Sequence, residues 1–556
     1  MGTSKKNGAN FLVQGSILAI ASIISRIIGL VYRIPMTNII GDTGNNYYSC
    51  AFEIYNIMLI ISSYSLPLAV SKLVSARIAK GHRKAAYQVL KGSFVFAITT
   101  GTIVALIVYF GAELFTNMLQ TPLSVFALKI LAPVLVVVAL LGVLRGFFQG
   151  MGTMMPSAIS QIIEQIVNAV VSVWAAYKLF DYGKKVGTVL GDPEHYAAAY
   201  GAAGGTLGTN LGAFAGFFFM LFVFYAYMKN VFKDKMQQEK SKKTDSFGRT
   251  MGLLIATIIP VLLSTTIYNI SGIIDQALFK NIAISQSYTT DEINVWWGVF
   301  SGKYKLLINV PVAIASAMAA SSVPTLTASF AEGRMKNVRR QINAAMRFVM
   351  VIALPCCVGL AVLAKPIFLL LFPGTTDSLE LASFMMAIGS VAVVFYSMST
   401  LSNGLLQGIN RMKAPVKNAI VALILHIIVL VGLMLIFRWH IYAVVIANAF
   451  FALIMCILNA RDIARYSGYR QEILKTFIIP GIASGIMGVV TYFVYQFLYK
   501  FTNNNTISLI PSIILAVIVY AVLLLLLKGV SEEDMENFPK GNVLIRLAKK
   551  LHLLRD

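Results

Sequence analysis

The chain has 556 residues, 58% hydrophobic and 12% charged, with a mean hydropathy of +0.76. Soluble domains carry roughly 25% charged residues, so a water-soluble globular fold is excluded and a polytopic membrane protein is expected. The net charge of +23 does not point to nucleic acid, because the lysines and arginines fall between apolar stretches and form no single stripe.

A bilayer core needs about 20 apolar residues per helix. Windows of that kind lie near 11–34, 51–73, 92–112, 125–148, 157–180, 198–228, 250–280, 295–327, 343–364, 380–408, 414–437, 440–460, 474–498 and 507–528. They predict an all-α membrane protein with 14 transmembrane helices. Lys5 and Lys6 precede a first window too long for a signal-peptide core, and no A-x-A site follows it, so no cleaved leader is expected.

That first window holds "SRIIGLVYR" at 25–33. An arginine at mid-membrane costs roughly 2.5–3.5 kcal/mol on insertion scales. Arg26 and Arg33 lie two turns apart on one helix face, separated by about 10 Å. Arg33 could snorkel to an interface, but Arg26 lies deeper; the sharper expectation is that both line a wet cavity and bind an anion.

The basic residues fix an expected orientation. The second loop carries Arg77, Lys80, Arg83 and Lys84, and the sixth carries Lys229, Lys233, Lys235, Lys240, Lys242, Lys243 and Arg249. The eighth has Arg334, Lys336, Arg339 and Arg340, the tenth Arg411 and Lys413, and the twelfth Arg461, Arg465 and Arg470. The first, seventh and ninth loops instead hold Asp42, Asp291, Glu292 and Asp377, while the fifth mixes both signs. Both termini are therefore expected in the cytoplasm.

Cys50, Cys356, Cys357 and Cys456 have no metal-ligand spacing, and the five histidines form no HExxH array. No disulfide framework, metal or cofactor is expected. With no GxxxxGK[ST] loop, ATP hydrolysis is not expected either. Energy would come from a coupling ion, the membrane potential or the substrate gradient.

The chain repeats itself. "RGFFQGMGTMMP" at 145–156 returns as "NGLLQGINRMKAP" at 403–415, matching Gly146, Gln149, Gly150 and Met154 to Gly404, Gln407, Gly408 and Met412 at an offset of 258. "EIYNIML" at 53–59 likewise resembles "GKYKLLI" at 302–308. Copies six helices apart keep one orientation, so two six-helix lobes are expected, related by a pseudo-two-fold axis along the membrane normal. The expected divisions are an N-lobe at 1–229, a basic linker at 230–249, a C-lobe at 250–462, two further helices within 463–530 and a basic tail at 531–556.

This plan resembles the multidrug/oligosaccharidyl-lipid/polysaccharide exporter superfamily, and within it the MurJ-type lipid II flippases and the related sporulation-protein branch. The likeness is carried by "SRIIGLVYRIP", "SLPLAVSKLVS", "RGFFQGMGTMMPSAISQIIEQ" and "GKYKLLINVPVAIASAMAASSVPTLTASFAEG". It implies lobes that open alternately to each side, basic residues that bind a lipid's pyrophosphate, and a groove for the polyprenyl tail on spans 13 and 14. Arg26 keeps the family's position. Tyr32 stands where the family has its second arginine, with Arg33 one residue on and about 100° around the helix. The span-2 arginine of the family falls near Leu59, and the span-8 cation on Lys303 or Lys305.

The resemblance implies a flippase, not an enzyme, in a bacterial plasma membrane. It would carry a polyprenyl-pyrophosphate-linked saccharide, lipid II foremost, as a monomer among membrane lipids and other cell-wall synthesis proteins. Rival readings are a carrier of another lipid-linked polysaccharide unit and a cation-coupled multidrug exporter. Arginine forks and lysine charges suit a phosphate, so Arg26, Arg33, Lys303 and Lys305 are the expected anion-binding set. Glu53, Tyr55, Asn56, Glu164 and Asp275 are the expected polar and charged partners. An ungapped shift of 249, which puts Tyr55 on Tyr304, also puts Arg26 on Asp275, so Asp275 is expected to hold Arg26 between transport cycles.

Overall fold

The computed structural model describes residues 2–232, 246–374 and 376–530; the residues at 233–245 and 531–556, most of the expected basic linker and all of the basic tail, lie outside them. The described residues are helical with short turns, and no strand occurs among them.

Gly and Pro set the breaks between apolar stretches. Helix α1 (Gly2–Leu59) is interrupted at Gly41, whose φ of 70° and ψ of −176° no helix interior has. A π-turn at Ile60–Tyr64 leads into α2 (Leu66–Ile78), with Pro67 in its first turn. Then come α3 (Arg83–Met118), α4 (Val125–Leu131), α5 (Val134–Gly150) and α6 (Met155–Leu190). Gly191, at φ 84°, closes α6, and Asp192 caps α7 (Pro193–Tyr227) by accepting from the His195 N–H. Next are α8 (Phe247–Ser285) and α9 (Thr290–Val299), the latter opened by a Thr289–Glu292 capping box. A π-turn at Phe300–Tyr304 precedes α10 (Lys305–Ala331) and α11 (Met335–Val362). The chain continues through α12 (Ala364–Leu371), α13 (Leu379–Gly389), α14 (Ala392–Gly408), α15 (Lys413–Phe437) and α16 (His440–Ser467). It ends with α17 (Ile479–Thr502) and α18 (Asn505–Leu526).

Among the described residues, eleven helices are long and apolar enough to cross a membrane, or twelve if the pair Thr376–Gly389 and Ala392–Gly408, bent by 51°, is one span. Two features separate this count from the fourteen windows. The windows at 11–34 and 51–73 both fall in the single run Ile20–Ile78. The window at 250–280 falls on α8, whose described apolar part is Phe247–Ile259.

The chain forms two compact units, Met1–Gly302 and Lys303–Asp556. Helices α8 and α9 fall within the first unit.

Within the first unit the turns after windows one, three, five and seven share one end. Asn46 Nδ2 donates to Asn294 Oδ1 at 2.8 Å, and Gln120 Nε2 to Asn281 Oδ1 at 3.2 Å. His195 bridges Asp192 and Asp291 through its two ring nitrogens, at 2.8 and 2.9 Å. Within the second unit, Tyr469 donates to Asn343 Oδ1 at 3.0 Å and the Arg411 guanidinium lies 4.3 Å from the Tyr466 ring centroid. The turns near 333, 411 and 468 thus also share an end. Helices that alternate in direction require both groupings.

The repeat is a packing device. A Cβ on Gly146 would lie 2.7 Å from the Pro67 carbonyl oxygen and 2.9 Å from Val70 Cβ, so α5 presses its glycine face onto α2. In the second unit a Cβ on Gly404 would lie 2.7 Å from Ala319 Cβ, so α14 does the same to α10. Small residues at such contacts let helix backbones approach where apolar lipid offers no hydrophobic drive.

Candidate functional site

The site is built on α1 before its break at Gly41. The helix lies on α6, whose Gln161, Gln165 and Asn168 recur at helical spacing and form one polar face. Ser22 Oγ donates to Gln161 Oε1 at 3.2 Å, and a Cβ on Gly29 would lie 3.7 Å from Gln165 Oε1. The buried Tyr32 hydroxyl accepts from Asn168 Nδ2 at 3.4 Å. Tyr32 is therefore a packing residue where the family pattern has an arginine.

Arg26 is exposed, and it has no ion-pair partner among the described residues. Arg33, half-buried, holds its guanidinium 4.3 Å from the centroid of the buried Tyr48 ring. The positive guanidinium is attracted to the negative face of the ring. Arg33 Nε is buried and has no acceptor among the described residues. Two cations on one face, one exposed and one with a buried donor unfilled, form a surface suited to a multiply charged anion.

The structure places the remaining expected residues as follows. Glu53 is half-buried against α8, its Oε2 2.5 Å from the Cβ position of Gly272. Asp275, one turn further along α8, is buried. Asn56 is exposed. Tyr55 is buried in an apolar cluster with Leu128, Leu131 and Leu135, and its ring meets Phe52 edge-on at 5.7 Å. It packs the core and lines no wet space, because its place on α1 turns it towards α4 and α5. In the second unit, buried Lys303 donates to Ser378 Oγ at 2.6 Å, while Lys305 is half-buried.

Glu164 belongs to an internal ion pair. Arg145 Nη2 lies 2.8 Å from its Oε2, and Arg145 Nε donates to Ser160 Oγ at 2.9 Å. The two side chains are only 14% and 23% exposed. Arg145 was not among the expected site residues, although it opens the repeat motif whose other copy has Asn403 in that place. Lys280 was missed too. Fully buried, it donates to Asn46 Oδ1 at 2.6 Å and to Thr121 Oγ1, and no carboxylate among the described residues pairs with it. At the end of an apolar run it reads as an interfacial lysine.

His195 sits in the first turn of α7, ahead of the apolar stretch. Partial burial draws its pKa down, but hydrogen bonds and charge from Asp192 and Asp291 outweigh that and raise it above the usual value of 6.5.

The chain matches the family model described as "Polysaccharide biosynthesis protein" over residues 12–330, and the MatE model over 306–431. It is 26% identical over 530 residues to "Lipid II flippase MurJ" of Bacillus subtilis, covering 92% of this chain and 94% of that one. It is 23% identical over 551 residues to "Stage V sporulation protein B" of the same organism, covering 96% and 99%. A solved structure, "Lipid II flippase MurJ, inward closed conformation", aligns with a TM-score of 0.63 at 18% identity, covering 91% of this chain and 97% of that one.

Proposed function

From the premise that this chain belongs to the polysaccharide biosynthesis protein family, we propose that it is a flippase for a polyprenyl-pyrophosphate-linked saccharide. In this reading lipid II is the foremost cargo, moved from the inner to the outer leaflet by alternating access. Fourteen spans in two six-helix lobes plus two C-terminal helices carry the movement, with both termini in the cytoplasm. No covalent bond is broken.

One observation carries the reading: Arg26 is exposed within an apolar run, on the face it shares with the Tyr48-stacked Arg33. A pyrophosphate offsets the desolvation of several cations at once. The relatives named as lipid II flippase and sporulation protein, each covered almost end to end, support the class. A cation-coupled exporter fits less well, because Glu164 is committed to Arg145.

The test is depletion in the source bacterium, with measurement of the lipid-linked precursor retained on the inner leaflet. Losing a charged hydrogen bond costs about 1.5–3 kcal/mol, roughly 10- to 150-fold in affinity. Arg26→Ala should thus nearly abolish complementation at normal protein level, and Arg26→Lys should restore it in part. Normal growth with Arg26→Ala would make the arginine structural and this mechanism wrong.

A further inference from the structure

A second cationic site lies in the second unit, where α11 begins. "RRQINAAMR" places Arg339, Asn343 and Arg347 at successive helical turns, so they share one face. Gly468, at φ 66°, ends α16 and turns the chain back over that face. Arg339 Nη1 lies 3.4 Å from the Cβ position of Gly468.

The result is an open cleft of about 750 Å³ lined by Arg339, Arg340, Arg347, Arg470 and one carboxylate, Glu472. Four cations against one anion leave a net charge of +3. Its floor is fixed: Asn343 Nδ2 donates to Glu472 Oε2 at 2.9 Å, buried Arg347 donates to the same oxygen, and Tyr469 donates to Asn343 Oδ1. Burial works to raise the Glu472 pKa, but the bonds from Asn343 and Arg347 prevail and lower it, so the floor stays bridged at neutral pH. Arg339, Arg340 and Arg470 remain exposed above that floor.

What adjoins the cleft identifies its ligand. Directly after Glu472 the chain presents exposed Ile473 and Leu474, then exposed Ile478, at the start of an apolar helix run. A ligand seated here would have an anionic head among arginines and a hydrocarbon body beside it. Basic pockets at the ends of membrane helices take phosphate headgroups in this way. We propose that this cleft binds the phosphate of an anionic phospholipid, whose acyl chains lie along Ile473, Leu474 and Ile478. Under the orientation proposed above, the leaflet is the cytoplasmic one. The cleft shares no residue with the Arg26 and Arg33 face and does not depend on which saccharide is carried.

The test uses the full-length protein in phosphatidylcholine nanodiscs with and without phosphatidylglycerol, scored by retained phosphatidylglycerol in native mass spectrometry. R339Q/R470Q should weaken retention by roughly tenfold or more, while K413Q/K417Q, basic positions outside the cleft, should leave it unchanged. Should the glutamine pair fail to fold, R339K/R470K is read instead; it keeps charge without the fork and should retain several-fold less than the parent. Undiminished retention in both arginine variants overturns the proposal, and so does an equal loss in K413Q/K417Q. Displacement by inorganic phosphate alone would make the site one for free phosphate. Binding that emerges only when residues 531–556 are removed would assign the cleft to the acidic stretch at 532–536. Either result refutes the lipid assignment.

Discussion

The Arg145–Glu164 pair offers a double-mutant cycle in which structure and transport give different answers. Its atoms are 2.8 Å apart and its side chains are 14% and 23% exposed, so solvent screens it far less than a surface pair. Breaking a fully buried pair costs about 3–5 kcal/mol, and partial exposure brings the expected loss for Glu164→Ala to about 2–3 kcal/mol, near the top of the range for charged hydrogen bonds. Arg145→Ala should cost as much, since it also strips the Ser160 hydroxyl of its donor. Glu164→Gln keeps an acceptor and should cost about 1–2 kcal/mol. The double variant should fall short of the sum by about 1.5–3 kcal/mol, a coupling well above the 0.3–0.5 kcal/mol scatter of independent sites. The assay is an unfolding titration of purified protein in mixed micelles, with complementation scored per folded molecule. A coupling near zero would refute the pairing. Lost transport from Glu164→Gln at unchanged stability would make Glu164 a working cavity carboxylate.

Other residues give sharper readings of local structure. Asn46→Leu should cost about 2–3 kcal/mol in the same titration, because it leaves Lys280 with Thr121 as its remaining acceptor and Asn294 without its donor; a neutral result would mean Lys280 is not held this way. Gly146→Ala should cost about 1–3 kcal/mol by forcing α5 off α2, whereas Gly252→Ala, with open space at its Cβ, should be neutral or gain up to about 1 kcal/mol of helix propensity. The His195 clamp should depend on pH. Its folded pKa is raised, so its stabilisation is full below about 6.5 and fades as pH rises through the higher folded value. Melting temperature should therefore fall on going from pH 6 to 8 in the parent and less steeply in Asp291→Asn; equal slopes would refute the clamp.

The helices were legible because membrane windows depend on composition, which sequence shows directly. Their count was less so. The run Ile20–Ile78 is broken at Gly41 and again at the π-turn Ile60–Tyr64, yet stays helical enough on both sides to count as one run, which windows of composition do not foresee. The arginines of α1 were legible through the cost of placing them in an apolar run. Whether a given polar residue faces cavity or core was not, since that depends on one helical turn of rotation: Tyr55 went to the core and Arg33 onto Tyr48.

The repeat shows why partners escape a reading along the chain. Matching α5 to α14 needs an offset of 258, while matching α2 to α10 needs 249, so no single shift superposes the two copies. Yet the second shift maps Val70 onto Ala319, the residues that meet Gly146 and Gly404, which the first shift pairs. What the copies share is a contact between helices, carried by two different registers. The same register of 249 sets Arg26 on Asp275. The close glycine contact is present in both copies, whereas the residue that opens the motif is charged in one and neutral in the other. Arg145 and Asn403 are the measure of this. Both open the repeat motif, and Arg145 donates to Ser160 and Glu164, while Asn403 and the hydroxyl of Ser402 accept from Asn459. An ion pair in one copy has an amide network as its counterpart in the other, built on the same glycine contact.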